Sequence, residues 1–226
     1  MDTFRLPSDL RLFVFDMAGT TVNEDNVVYK TLLSTLQRAG YDLDLPLVLR
    51  EGAGKEKLQA IRDILQRIDG NDGRARELYA NFREELTEAY GDLTVRSFPG
   101  AADLIGRLRR NGVTVALNTG YDRATAERLL RKMQWKKGEQ YDLLATADDV
   151  AAGRPAPDMI QLLMELSGIR VPTFVAKAGD SAVDIEEGRR AGCGLTVGVT
   201  TGAQSRAQLM AAGADLVVDD LAVLVM

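Results

Sequence analysis

The sequence predicts an α/β protein in which a doubly wound parallel sheet is interrupted, after its first strand, by an all-helical insertion. Three observations predict it. From Phe98 onward, short apolar runs alternate with amphipathic stretches, and strict strand–helix alternation requires parallel strands joined by right-handed crossovers. A comparable run, Leu12-Phe13-Val14-Phe15, stands alone near the start and leads into Asp16-Met17-Ala18-Gly19-Thr20-Thr21. Between the two lies a block with helical periodicity and no clear strand. The expected division is a core of residues 1–23 and 93–226 that carries a helical unit at 24–92.

Residues 11–16 read as a buried strand, because four consecutive apolar residues rich in aromatic and β-branched types leave neither face polar, and Gly19 permits a sharp exit. An amphipathic helix is expected from about Asn26 to Ala39, ended by Gly40. Helical signal returns from Pro46 to Ile68 with an interruption at Gly52-Ala53-Gly54, and a third helix spans Arg74 to Tyr90 with Gly91 as its stop. Beyond Phe98-Pro99-Gly100 the helices are expected at about 100–110, Arg123–Met133, Pro157–Leu166, Ser181–Ala191 and Ser205–Ala212. The strands between and after them are Val113–Leu117, Leu143–Ala145, Thr173–Ala178, Leu195–Val199 and Leu216–Val218.

Composition narrows the chemistry. With 226 residues, 46% hydrophobic and 27% charged, the chain can bury a substantial core as one large domain or a core with an insertion. A net charge of -5, with acids and bases interspersed, argues against non-specific nucleic-acid binding. No apolar run approaches the ~18 residues of a membrane span, and Arg11 and Asp16 bracket the only apolar run near the N-terminus, so no secretory segment is expected. The single cysteine, Cys193, excludes an internal disulfide and fits a cytoplasmic setting. The chain has no histidine. That removes Ser-His-Asp and Cys-His catalysis and the usual zinc sites. What remains is carboxylates, Lys, Arg, hydroxyls, backbone groups and a hard metal ion with oxygen ligands.

In a parallel sheet the residues just beyond the strands' carboxyl ends share one edge. Here they are Asp16, then Asn118-Thr119-Gly120, then Lys177-Ala178-Gly179-Asp180 with Asp184 a helical turn later, and Arg154 precedes Pro155 in a loop before a helix. Each has a structural explanation: Asp16 as a turn residue, Thr119 with Asp122 as a capping pair, Asp180 as an N-cap, Asp184 as a solvated helical acid, Arg154 as a surface cation. A chemical explanation covers all of them together. Asp16 is placed as a nucleophile or metal ligand, and Asp180 supplies a second hard oxygen for Mg²⁺. Thr119 and the Gly120 amide can hydrogen-bond phosphoryl oxygens, and Arg154 can neutralise charge in the transition state.

On these residues the chain resembles the haloacid dehalogenase superfamily of Mg²⁺-dependent phosphohydrolases, which implies a Rossmann-like core and a mobile helical cap at 24–92. The resembling motifs are Asp16-Met17-Ala18-Gly19-Thr20, Thr119, Arg154 and Gly179-Asp180 with Asp184. Within that superfamily Asp16 to Val22, Thr119-Gly120-Tyr121, Ala152-Gly153-Arg154-Pro155 and Gly179-Asp180-Ser181 look most like the phosphonatase group. The resemblance implies that Asp16 attacks phosphorus, that Asp16, the Ala18 carbonyl and Asp180 hold Mg²⁺, and that Asp184 orients the metal site from behind. Most superfamily phosphatases carry a second acid where this chain has Ala18, so an alkoxide leaving group has no general acid from this position. Phosphonatases avoid that need with a cap lysine that forms a Schiff base. The group's Gly-x-x-Lys spacing, with Arg five residues beyond, selects Lys57 through Gly54 and Arg62. Periodicity agrees: at ~100° per residue Lys57 shares an arc with Leu58, Ile61, Ile64, Leu65 and Ile68, whereas Lys55 lies outside it.

Three positions depart from the group: Ala60 stands at its histidine, Ala53 at its methionine and Asn26 at its linker cysteine. The expected function is a Mg²⁺-dependent hydrolase acting through an aspartyl-phosphate on a small phosphonate or phosphorylated carbonyl compound. The alternatives are a phosphomonoesterase of the phosphoglycolate phosphatase type and a non-catalytic sensor of a phosphorylated ligand. The resemblance also suggests a homodimer.

Overall fold

Phe13 and Phe15 stack their rings on one side of the second strand, while Leu12 and Val14 enter a separate apolar cluster on the other, and all four are fully buried. A strand apolar on both faces belongs in the middle of a covered sheet. The computed structural model, which describes residues 3–226, puts it there.

The chain opens with β1 (Phe4–Arg5) and enters the sheet with β2 (Leu12–Asp16). A short strand, β3 (Val22–Asn23), leads to the helices α1 (Val27–Arg38), α2 (Leu45–Gly52), α3 (Lys57–Asp69) and α4 (Ala75–Asp92), and β4 (Arg96–Ser97) returns antiparallel to β3. The remainder alternates as α5 (Pro99–Arg110), β5 (Thr114–Asn118), α6 (Arg123–Lys132), β6 (Leu143–Ala145), α7 (Asp158–Ser167), β7 (Val175–Gly179), α8 (Ala182–Arg190), β8 (Leu195–Val199), α9 (Arg206–Ala211) and β9 (Leu216–Val218). A final strand, β10 (Leu224–Val225), pairs in parallel with β1.

One six-stranded parallel sheet runs β6-β5-β2-β7-β8-β9. From β2 the chain builds outward through β5 and β6, then crosses to the other side of β2 and builds outward again through β7, β8 and β9. The order therefore reverses about β2, which is where open α/β sheets form a crevice at their carboxyl ends. Among the described residues no helix is long and apolar enough to cross a membrane.

The helical block holds four helices rather than three. The signal expected to run from Pro46 to Ile68 is cut in two because Ala53 is extended and Gly54 takes a positive φ of 74°. Asp44 caps α2 through the Leu47 amide, and Glu56 caps α3 through the amides of Leu58 and Gln59. Helix α4 continues past Gly91 to Asp92, since glycine alone weakens a helix without ending it. The two-residue pairs β1/β10 and β3/β4 carry no readable period and are absent from the sequence expectation. A 3₁₀ turn at Pro172–Phe174 replaces the start of the strand expected at Thr173, because Pro172 cannot donate to a ladder.

Candidate active site

The sheet register brings the strand ends level. Asp16 stands opposite Asn118 and Phe15 opposite Ala178, so the next residues of β5 and β7, Thr119 and Asp180, project from the same edge. Asp16, Ala18, Thr119, Gly120, Arg154 and Asp180 line one narrow cleft. The helical block closes it with Tyr29, Gly54 and Lys57.

The charged groups form a buried network. Arg154 Nη1 donates to Asp16 Oδ1 at 2.7 Å and also to Asp184. Lys177 Nζ lies 3.0 Å from Asp184 Oδ1 and 3.3 Å from Glu187 Oε2, and donates to Asn118 Oδ1 at 2.5 Å. Asn118 Nδ2 in turn donates to both Glu187 oxygens at 2.8 Å. Asp184 is therefore no solvated acid and Arg154 no surface cation. Asp180 does not cap α8; its Oδ2 accepts from the Ala203 amide at 2.6 Å. Nor does Thr119 cap α6, since Asp122 does so through the Thr125 amide, while Thr119 Oγ1 accepts from the Tyr121 amide at 3.2 Å. Asp184 accepts from the Ser181 amide and hydroxyl at the start of α8, which fixes it against the cations.

Nothing in the sequence alone assigns a role to Lys177, Glu187 or Asn118. The available signal was a lysine between Ala176 and Ala178 in an otherwise apolar strand, a position tolerated only with buried partners.

Counting Asp16, Asp180, Asp184 and Glu187 against Arg154 and Lys177 gives four carboxylates and two cations, a formal charge of -2 when all are ionised. The imbalance is local. Burial favours the neutral form of Asp184, but Lys177 and Arg154 outweigh it and hold its carboxyl below the usual range. Burial and the neighbouring Asp184 carboxylate push Asp16 up, and burial and Asp16 push Asp180 up. Asp16, Asp180 and Asp184 each bring an oxygen within 4.8 Å of the others. Two hard, under-neutralised carboxylates in a cluster two charges short fit a divalent cation with oxygen ligands. Gly19, at φ 86°, and Gly202 enclose Asp180: a Cβ on either would stand 2.4 or 2.0 Å from Oδ2.

Lys57 opens α3 and is 5% exposed, whereas Lys55 turns outward to Asp63 at 2.5 Å. The Lys57 amine donates to the Lys55 carbonyl at 2.6 Å and lies 5.2 Å from the Tyr29 ring and 5.3 Å from the Tyr121 ring. Burial, reinforced by the Arg154 charge, lowers its pKa to about 8. Ala60 and Ala53 are both buried nearby on the same segment. Close approach of this segment to the core depends on Gly120, whose Cβ would stand 2.9 Å from the Lys55 carbonyl carbon and oxygen.

A buried acid not singled out in the sequence completes the wall. Glu24 accepts from Tyr90 Oη at 2.6 Å and from Tyr121 Oη at 3.1 Å, joining the first connection of the helical block and the last turns of α4 to the loop after β5. Burial pushes its pKa up to about 7 against the two hydrogen bonds.

Comparison with known proteins agrees with this geometry. The chain is 31% identical, over an alignment of 247 positions including gaps, to a phosphonoacetaldehyde hydrolase of Parabacteroides distasonis, covering 92% of each. It is 30% identical over 196 residues to a bifunctional phosphonoacetaldehyde hydrolase/aminoethylphosphonate transaminase of Clostridioides difficile, covering 81% of this chain and 30% of that longer protein. A crystal structure of a phosphonoacetaldehyde hydrolase-like protein from Oleispira antarctica superposes with a TM-score of 0.80 at 25% identity, over 95% of this chain and 89% of that one. The family profile described as haloacid dehalogenase-like hydrolase matches residues 10–192. The chain belongs to that family, as a hydrolase related to the phosphonoacetaldehyde hydrolases.

Proposed function

We propose that this hydrolase is Mg²⁺-dependent, uses Asp16 as its nucleophile, and acts on a small phosphonate or phosphorylated carbonyl compound held as a Schiff base on Lys57. The observation that carries this reading is the burial of the Lys57 amine in the cleft that also holds Asp16, at a site where Ala18 offers only a methyl group and the chain has no histidine. A leaving group without an acid to protonate it needs another electron sink, and an iminium supplies one.

Asp16, Asp180 and the Ala18 carbonyl would hold the metal, with Asp184 fixed behind them by Arg154, Lys177 and Ser181. Bound there, Mg²⁺ supplies charge neutralisation that lets an anionic carboxylate approach an anionic phosphoryl group. The Thr119 hydroxyl, the Gly120 amide and Arg154 bind phosphoryl oxygens. Arg154 Nε and the Thr20 hydroxyl support this, since both are buried without a partner among the described residues.

With a phosphono-aldehyde, the free amine of Lys57 adds to the carbonyl and loses water to give the iminium. An Asp16 oxygen then bonds to phosphorus as the P–C bond breaks, and its electron pair moves into the enamine. The enamine takes a proton on carbon, water hydrolyses the iminium to release aldehyde and Lys57, and a second water cleaves the aspartyl-phosphate. The block at 24–92 acts as a cap over this chemistry, with Gly54 and Lys55 packed on Gly120 in the closed arrangement.

The test is borohydride trapping with phosphonoacetaldehyde, which should leave a mass adduct on Lys57. No adduct, alongside phosphate release from other substrates, removes the Schiff-base step. A phosphomonoesterase is the second reading, favoured by Ala60, which leaves no imidazole near Lys57 to shuttle protons. Turnover of alkyl phosphates that survives Lys57→Ala selects it.

A further inference from the structure

Lys57, Gly120 and Tyr121 line two cavities at once. Inward lies the narrow cleft that contains Asp16. Outward, between α4, the start of α3 and the start of α6, lies a second, larger cavity. With phosphorus at Asp16 and the carbonyl carbon at Lys57, atoms beyond that carbon would lie past the shared wall of Lys57, Gly120 and Tyr121, on the side of the outer cavity.

The outer cavity has a marked chemical character. Tyr79, Phe82 and Tyr90 make one wall aromatic, and Arg83 and Arg128 stand beside them. Two carboxylates also line it, but both are occupied at helix N-termini. Glu56 accepts from the Leu58 and Gln59 amides at 2.8 and 2.9 Å, and Asp122 from the Thr125 amide and hydroxyl at 2.8 and 3.1 Å. The guanidiniums are not occupied. Among the described residues neither Arg83 nor Arg128 makes an ion pair; Glu85, two residues from Arg83, is 3.3 Å from Arg38, and Glu127, next to Arg128, is 3.7 Å from both Arg123 and Arg131. Arg83 instead rests over the Tyr79 ring at 5.9 Å. Arg83, exposed, and Arg128, half-buried, beside this aromatic wall suit an anion carried on an apolar spacer.

We propose that the outer cavity binds the part of the substrate beyond its carbonyl carbon, and that this part ends in a carboxylate paired with Arg83 and Arg128. The proposal rests on the reading of Asp16 and Lys57 given above. It separates this chain from an enzyme for a two-carbon phosphono-aldehyde, which would leave the outer cavity to water. It also assigns substrate choice to α4 and α6, remote from the phosphoryl chemistry.

Binding of unreactive analogues tests the subsite apart from turnover. The full chain with Mg²⁺ is titrated calorimetrically with 3-phosphonopropionate against propylphosphonate, and 5-phosphonopentanoate against pentylphosphonate. In the longer pair the carboxylate should bind at least about tenfold tighter, about 1.4 kcal/mol. Arg83→Ala and Arg128→Ala should each reduce that ratio and the double substitution bring it near unity, while the double lysine variant, which keeps both charges, restores part of it. Equal binding within both pairs, or a preference that survives the double alanine variant, overturns the subsite alone. Failure of every phosphonate to bind overturns the phosphoryl site as well, and both readings with it.

Discussion

Asp16 and Arg154 are tied by a buried hydrogen bond of 2.7 Å between Oδ1 and Nη1, although 138 residues separate them. The same guanidinium nitrogen also reaches Asp184, so one cation orients the proposed nucleophile and the acid behind it. Of the Asp16 oxygens, Oδ1 is thereby held, and the carboxylate stays in a fixed position at the crevice. Asp16→Asn keeps the shape and removes the nucleophile. Turnover should fall at least about a thousandfold. Phosphate release close to the wild-type rate from this variant would exclude Asp16 from the chemistry.

The under-neutralised pair Asp16 and Asp180 predicts metal dependence. Chelation should abolish turnover, and Mg²⁺ should raise the melting temperature of the wild type by mass action on the folded state. Asp180→Asn should lose most of that thermal shift. Full activity in excess chelator counts against the metal site.

The Lys57 amine, lowered to about 8, is half unprotonated near that pH, whereas an ordinary lysine reaches this only near 10.5. Reductive trapping of an aldehyde on Lys57 should therefore rise between pH 7 and 9 with a midpoint near 8. The groups that set it are Arg154, which lowers it together with burial, and Glu56, Glu24 and Asp16, which raise it. A midpoint above 10 would show that the amine titrates as an exposed lysine does.

Glu24 makes stability depend on pH in a defined direction. Its carboxyl rises from 4.5 to about 7 on folding, so the folded state favours the proton. The associated stability is fully present below 4.5 and is lost as pH rises through about 7, a swing on the order of 3 kcal/mol. Glu24→Gln cannot ionise and should gain on the wild type across that window in urea unfolding. A difference between the two that stays constant with pH would refute the assignment.

Gly120 permits the contact between the helical block and the core. In Gly120→Ala the new Cβ would meet the Lys55 backbone at 2.9 Å, and backbone cannot swing aside as a side chain can. The Michaelis constant should rise about tenfold or more through impaired closure, with the melting temperature little changed because the contact lies outside the main core. A lowered melting temperature with unaltered kinetics argues for a purely structural contact.

Local pattern carried far in this chain. A buried run ending in Asp16, and alternating strands ending at Thr119 and Asp180, suffice to predict one edge, because parallel strands must all present the same end there. The Gly-x-x-Lys spacing and the apolar arc likewise pick out Lys57, which opens α3, although Lys55 lies before the Glu56 cap, where no helical repeat applies. The absence of histidine excluded whole classes of chemistry without any structure.

The tertiary structure decided what no local repeat encodes. Glu24 meets Tyr90 and Tyr121 across 66 and 97 residues, and Asn118 meets Glu187 across 69. Such pairings depend on how crossovers bring distant elements together, and nothing in the period of either segment reports them. The two-residue strands β1, β3, β4 and β10 were invisible for a related reason: they are shorter than one repeat of the pattern that identifies a strand. The outer cavity, lined by Arg83 and Arg128, exists only where the tertiary structure sets α4 opposite the start of α6. Sequence determined which edge of the sheet gathers the candidate residues; packing determined which charges neutralise one another there, because only the folded chain sets their distances.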